Sequence, residues 1–97
     1  MRIIAVKTLR LFWQKYNDSE QPLKAWFEIA GKANWQNPGD IKSQFRNASF
    51  LADNRVVFNI AGNKYRLIVK INYAYYTIYV RFIGTHKEYD TINAKEI

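Results

Sequence analysis

The period of the hydrophobic pattern changes once along this chain, near residue 55, and that change dictates most of what the chain can fold into. Before it, apolar residues recur every three or four positions; after it, they alternate. Leu9, Phe12, Trp13 and Tyr16 fall at i, i+3, i+4 and i+7, with Thr8 as the expected helix cap. Asn17-Asp18-Ser19 breaks that stripe and offers a second cap. Pro22 in the first turn then suits a helix with Leu23, Trp26, Phe27 and Ala30 on one face, ending near Gly31 or fraying to Asn34. The two segments predict a helical hairpin with aromatic inner faces. Ahead of it, Arg2 to Val6 is short and β-branched and reads as a strand.

Asn37-Pro38-Gly39-Asp40 is a turn signal, with Asp40 placed to cap a short helix from Ile41 to about Arg46. Asn47 to Asn54 has no period and reads as a loop. From Arg55, Val56, Phe58 and Ile60 alternate with Arg55, Val57 and Asn59. Gly62-Asn63 supplies a hairpin turn, and strands follow from Lys64 to about Tyr73 and from Tyr76 to Ile83, turning near Ala74. Gly84 is expected to end the sheet, before a terminal turn over 85–92. The order strand, helix, helix, three-strand meander predicts an α+β fold, its helices on one face of a mainly antiparallel sheet. Ninety-seven residues leave room for one core, so 1–97 reads as a single domain.

Alternation also assigns charge to a face. Lys64, Arg66 and Lys70 share a side with Ile68 and Asn72, while Tyr65, Leu67, Val69 and Ile71 share the other. In the last strand Ile78, Val80 and Phe82 fall on the apolar side, with Thr77, Tyr79 and Arg81 opposite. If the apolar sides meet the helices, Arg55, Lys64, Arg66, Lys70 and Arg81 project from the other side of the sheet. A polar strand face is the ordinary solvated outcome, and for Arg55 and Lys70 it suffices. The set as a whole points further, because no Asp or Glu occurs from Arg55 to Lys87 in a chain of net charge +7. Cations without carboxylates beside them suit an external anion, and a phosphate backbone is the leading choice. Tyr73, Tyr75, Tyr76 and Tyr79 cluster near one hairpin; most read as strand packing, with Tyr79 the best placed for base stacking.

The remaining chemistry lies in Gly84-Thr85-His86-Lys87-Glu88-Tyr89. Imidazole is the side chain whose unperturbed pKa, about 6.5, suits proton transfer near neutrality. His86 is the only histidine, and Tyr89 follows at a spacing that shares a face of a helical turn. There is no cysteine, hence no thiolate nucleophile and no Cys-ligated metal. A lone histidine with Glu88 and Asp90 is a weak metal site, and no metal or cofactor is expected. Ser43 and Ser49 lack a nucleophile elbow, and no Walker or dinucleotide loop occurs. No apolar run is long enough for a membrane span and no signal peptide follows Met1, so the expected location is cytoplasmic. Phosphodiester cleavage of RNA fits what is left. There the 2′-OH is the substrate's own nucleophile, and the protein need only orient the backbone, move protons and stabilise charge.

The stretch Val57-Phe-Asn-Ile-Ala-Gly-Asn-Lys64-Tyr-Arg66-Leu-Ile-Val69, with Tyr79-Val-Arg-Phe-Ile-Gly-Thr-His86-Lys-Glu-Tyr89-Asp90, resembles the HigB toxins of the RelE/ParE superfamily. The element order agrees with that family over nearly the whole chain, though the N-terminal third matches only in pattern. The resemblance implies a RelE-like fold and a type II toxin that cleaves mRNA in the ribosomal A site. It implies a HigA-type helix-turn-helix antitoxin as partner, with operator DNA reached only through the antitoxin complex. By position, Arg66 resembles the strand arginine at the scissile phosphate. His86 falls where relatives carry a catalytic His or Arg, and Tyr89 near their C-terminal aromatic. Lys64 and Lys87 are implied backbone contacts; Lys70, Arg81, Arg55 and Tyr79 complete the expected RNA-binding surface. Two alternatives stay open: a ParE-like toxin acting on DNA gyrase, and a non-catalytic RNA-binding module.

Overall fold

A computed structural model describes all 97 residues. The elements are β1 (Arg2–Ile4), α1 (Val6–Lys15), a 3₁₀ turn (Asn17–Ser19), α2 (Glu20–Lys32), α3 (Pro38–Gln44), β2 (Ser49–Leu51), β3 (Arg55–Ile60), β4 (Tyr65–Asn72), β5 (Thr77–Thr85) and α4 (His86–Tyr89). The sheet order is β1-β5-β4-β3-β2. Its pairs are antiparallel except β1 with β5, which run parallel. The fold is α+β as expected, with five strands in one mixed sheet.

Leu9 of α1 and Leu23, Trp26 and Ala30 of α2 join Val56, Phe58, Leu67, Val69, Ile71 and Ile78 in one buried cluster. Phe58 is its hub, with ring centroids 5.5 Å from Trp26, 5.0 Å from Phe45 and 6.3 Å from Trp35. The Met1 ammonium donates to the carbonyls of Ala30, Gly31 and Ala33 at 3.2, 2.7 and 2.9 Å. A cation at that end complements the α2 dipole and pins β1 under the helix.

Local expectations shift in instructive ways. α1 begins at Val6 behind Ala5, with no side-chain cap, so Thr8 lies inside the helix. The Ser19 hydroxyl donates back to the Tyr16 carbonyl at 2.6 Å and does not cap α2. Phe27, expected inward, is 37% exposed, because the inner stripe is already filled by Leu23, Trp26 and Ala30. α3 starts at Pro38, capped by Asn37, whose Oδ1 accepts from the Asp40 amide at 3.1 Å. Asp40 instead accepts from the Gln36 amide at 2.9 Å. Within the expected loop of 47–54, Ser49–Leu51 forms the edge strand β2, too short to show a period. The sheet also runs past Gly84 to Thr85.

One clasp ties the helical layer to the sheet. Tyr65 Oη donates to Asp18 Oδ1, and Lys64 Nζ reaches Asp18 Oδ2 at 2.8 Å. Those two bonds hold the Asp18 carboxyl below its ordinary range, while the bond to Asp18 and burial push the Tyr65 phenol up to about 12. A phenol whose pKa rises on folding contributes its stability in full below pH 10.0 and loses it as pH climbs toward about 12. Asp18 carries the opposite sign: its contribution is present above the ordinary carboxylate range and lost in acid. Alkaline titration followed at 295 nm should therefore show a late phenol step near 12 that Tyr65→Phe removes. An unchanged profile in that variant would contradict the clasp.

Candidate active site

The outer face of the sheet, opposite the helices, is where the sequence placed five cations, and tertiary contacts divide them. Arg55 is buried at 8% exposure; its Nε donates to the Ile97 carbonyl at 2.7 Å and its Nη1 meets Asp53 at 3.1 Å. Lys70 pairs with the same Asp53 at 3.0 Å, and the two cations together hold that carboxyl below its ordinary range. Lys64 turns to Asp18 beside the helices. Asp53 stands two residues before Arg55, just outside the carboxylate-free stretch, while its reach to Lys70 and that of Asp18 to Lys64 span 17 and 46 residues and have no local signal. Between the two ends of the face, Val57 and Ile68 are register partners and fully buried, outside the main core cluster. The face is a basic rim and a polar far end with an apolar saddle between.

A bulge redirects the last strand. Ile68 pairs with Phe82 but Val69 pairs with Val80, so Arg81 is the extra residue. Beyond it the alternation inverts: Ile83 faces the core beside Leu67, and Phe82, expected inward, lies on the outer face with Ile68. Arg81 stays exposed. The inversion also sets Gly84 opposite Arg66. A Cβ at Gly84 would come within 2.5 Å of the Phe82 ring, so only glycine lets the strand pass this corner undisturbed.

At the rim, three elements meet around Arg66. From β3, Asn59 Oδ1 accepts from Arg66 Nη1 across the ladder. From α4, the Tyr89 ring lies under the guanidinium with 5.5 Å from centroid to Cζ, a cation–π distance. Arg66 Nε is buried with no partner. α4 is held in place at its start. The His86 amide donates to the Lys64 carbonyl at 3.0 Å, and Thr85 with Glu88 forms a reciprocal capping box at 3.1 and 2.8 Å. The backbone bond from Thr85 leads the causes that keep the Glu88 carboxyl below its ordinary range. His86 Nδ1 sits 3.1 Å from Asp90 Oδ2, one turn on, with 44% of the side chain exposed. That contact leaves Nε2 as the ring nitrogen available to a ligand.

Of the expected site residues, the fold unites Arg66 and Tyr89 in direct contact, with His86 on the same short helix. Lys87 is exposed beside them. Lys70 and Tyr79 pair at the far end, four residues along β4 from Arg66, or about 13 Å at strand rise. Arg55 and Lys64 are committed elsewhere. Asn59 went unremarked as a site residue in the sequence, though it was legible as the polar alternate of Phe58 and Ile60. Asp90 was weighed only as a weak metal ligand, and its i+4 spacing from His86 was the signal for the contact it makes. No cluster of three or more His, Asp or Glu side chains forms anywhere in the chain.

Residues 19–92 match the family model HigB_toxin, described as a RelE-like toxic component of a toxin–antitoxin system. The chain is 31% identical to the mRNA interferase toxin HigB of Escherichia coli strain K12, over 97% of this chain and 92% of that protein. The mRNA interferases HigB of Escherichia coli O157:H7 and Shigella flexneri match to the same extent. The matched region contains Asn59, Arg66, His86, Tyr89 and Asp90 together with the sheet that gathers them, and the chain belongs to the HigB family of RelE-like toxins.

Proposed function

We propose that this protein is the toxin of a type II toxin–antitoxin system and cleaves translated mRNA on the ribosome. The observation that carries the reading is the rim itself. Arg66, on the central strand β4, is bracketed by Asn59 and Tyr89 at one end of the sheet's outer face, on the same side as a histidine–aspartate pair of α4. In the reaction, the 2′-oxygen forms a bond to the adjacent phosphorus while the bond from phosphorus to the 5′-oxygen breaks. The products are a 2′,3′-cyclic phosphate and a 5′-hydroxyl. One proton leaves the 2′-OH and one reaches the 5′-oxygen. His86, with Asp90 holding its Nδ1 side, is the group that transfers a proton through Nε2. Arg66 stabilises the charge that builds on the phosphoryl oxygens, with its guanidinium fixed in place at Nη1 by Asn59. Tyr89 orients the guanidinium and offers a ring face to a base. Lys87, Arg81, Lys70 and Tyr79 extend the contact to RNA, with Arg55 and Lys64 acting through the carboxylates they bind.

The relatives are named mRNA interferases, which supports RNA over DNA gyrase as the target. The antitoxin is of the HigA helix-turn-helix kind, brings the complex to operator DNA, and acts with the toxin in the cytoplasm; no helix here is long and apolar enough to cross a membrane. Induction of the protein should leave mapped cuts inside translated reading frames, lost when translation initiation is blocked. Supercoiling defects without cuts would overturn the reading.

A further inference from the structure

β3 is only partly covered. β2 pairs with Arg55, Val56 and Val57 alone, so Phe58 to Ile60 present an open strand edge. A pocket of about 290 Å3 lies along that edge, lined by Phe45, Arg46, Asn47, Ala48, Phe58, Asn59 and Gly62. Its apolar floor is the half-buried ring of Phe45, backed edge-to-face by the buried Phe58 with centroids 5.0 Å apart at 74°. Its rim carries two amides, a guanidinium and no carboxylate. Arg46 is exposed and takes part in none of the chain's ion pairs. Asn59 is common to the pocket and to the rim site, since its Oδ1 holds Arg66.

We propose that this pocket receives the base of the mRNA nucleotide next to the cleaved phosphate. Asn47 reads the base edge and Arg46 holds the following phosphate. The inference rests on the mRNA-cleaving reading above and adds to it a place where sequence preference is set. An aromatic floor takes a planar ring. Amides supply both a donor and an acceptor to a base edge, and a free guanidinium takes the phosphate one step along the strand. Placement on the residue that positions Arg66 gives the pocket a register: a base seated there fixes which phosphate faces Arg66.

The test uses wild type, Asn47→Ala and Arg46→Ala chains, all exposed substitutions on loop positions, with thermal melts as a folding control. Cut sites are mapped on translated mRNA, and cleavage is timed on ribosomes programmed with a defined message. Asn47→Ala should relax the base preference beside the cut. Arg46→Ala should raise KM about tenfold while kcat holds, the size expected for one phosphate or base contact. Unchanged preference and KM in both variants would overturn the proposal. So would weaker binding of both variants to ribosomes that carry no message, with the preference intact in Asn47→Ala, which would assign the pocket to ribosomal RNA. Wild-type protein that leaves no cuts overturns both this proposal and the reading beneath it, whereas wild-type cutting with indifferent variants overturns the pocket alone.

Discussion

Arg66→Ala should release cells from growth arrest at expression levels where the parent chain is toxic, and lower mRNA cleavage about 10²–10³-fold, the cost of losing one preorganised charge stabiliser. The geometry explains why so much rests on it. Arg66 is the one strand cation of the outer face held by a neutral amide and an aromatic ring in place of a carboxylate. Its charge is therefore not spent inside the protein, whereas those of Arg55, Lys64 and Lys70 are. Arg66→Lys should recover little, since an ammonium keeps the charge but loses the fork and the stacking plane. Asn59→Ala should cost less, about tenfold, because it loosens the guanidinium without removing it. His86→Ala belongs to the same experiment, with a loss of about 10²–10⁴-fold for a proton-transfer group. Full toxicity of the Arg66 and His86 variants, with parental melting temperatures, would remove both from the chemistry.

Phe58→Ala should be the most damaging single truncation for stability. Phe58 is 1% exposed and touches Trp26, Trp35 and Phe45, joining α2, the α2–α3 segment and the chain after α3 to the sheet. Removing a buried aromatic costs about 3–5 kcal/mol, through lost transfer energy and the cavity left behind. A domain of this size has about 5–15 kcal/mol in total. At roughly 4–8 °C per kcal/mol, the melting temperature should fall by more than about 10 °C. A fall of a few degrees, measured by circular dichroism, would show that the neighbouring rings collapse into the gap. The same change also moves the floor of the pocket at the β3 edge, so its effects on activity need the stability correction first.

The helical and strand halves were legible because amphipathic periods extend over many residues. β3 and β4 read correctly, and the helices α1 and α2 read correctly in place if not in their caps. What failed was short or depended on a neighbour. β2 has three residues, too few for a period. β1 was visible as a strand, but its parallel seat beside β5 is a topological fact with no local signal. Phe82 was assigned to the core because alternation assumes an unbroken strand, and the bulge at Arg81 inverts it. Thr8 and Asp40 were plausible caps displaced by one alternative start each, at Ala5 and Asn37.

The site divides along the same line. Residue types and spacing by themselves determined the α+β class, the absence of cysteine chemistry, the placement of His86 and Tyr89 on one short helical turn, and a run of strand cations with no carboxylate among them. Those properties depend on neighbours within one turn or one strand, where the backbone period dictates geometry. Only the tertiary structure decided which cations stay free. Asp18 and Asp53 lie outside the carboxylate-free stretch and reach Lys64, Lys70 and Arg55 through turns and helix packing. Charge cancellation depends on distance in space, and the fold brings those carboxylates to 2.8–3.1 Å while leaving Arg66 to Asn59 and Tyr89.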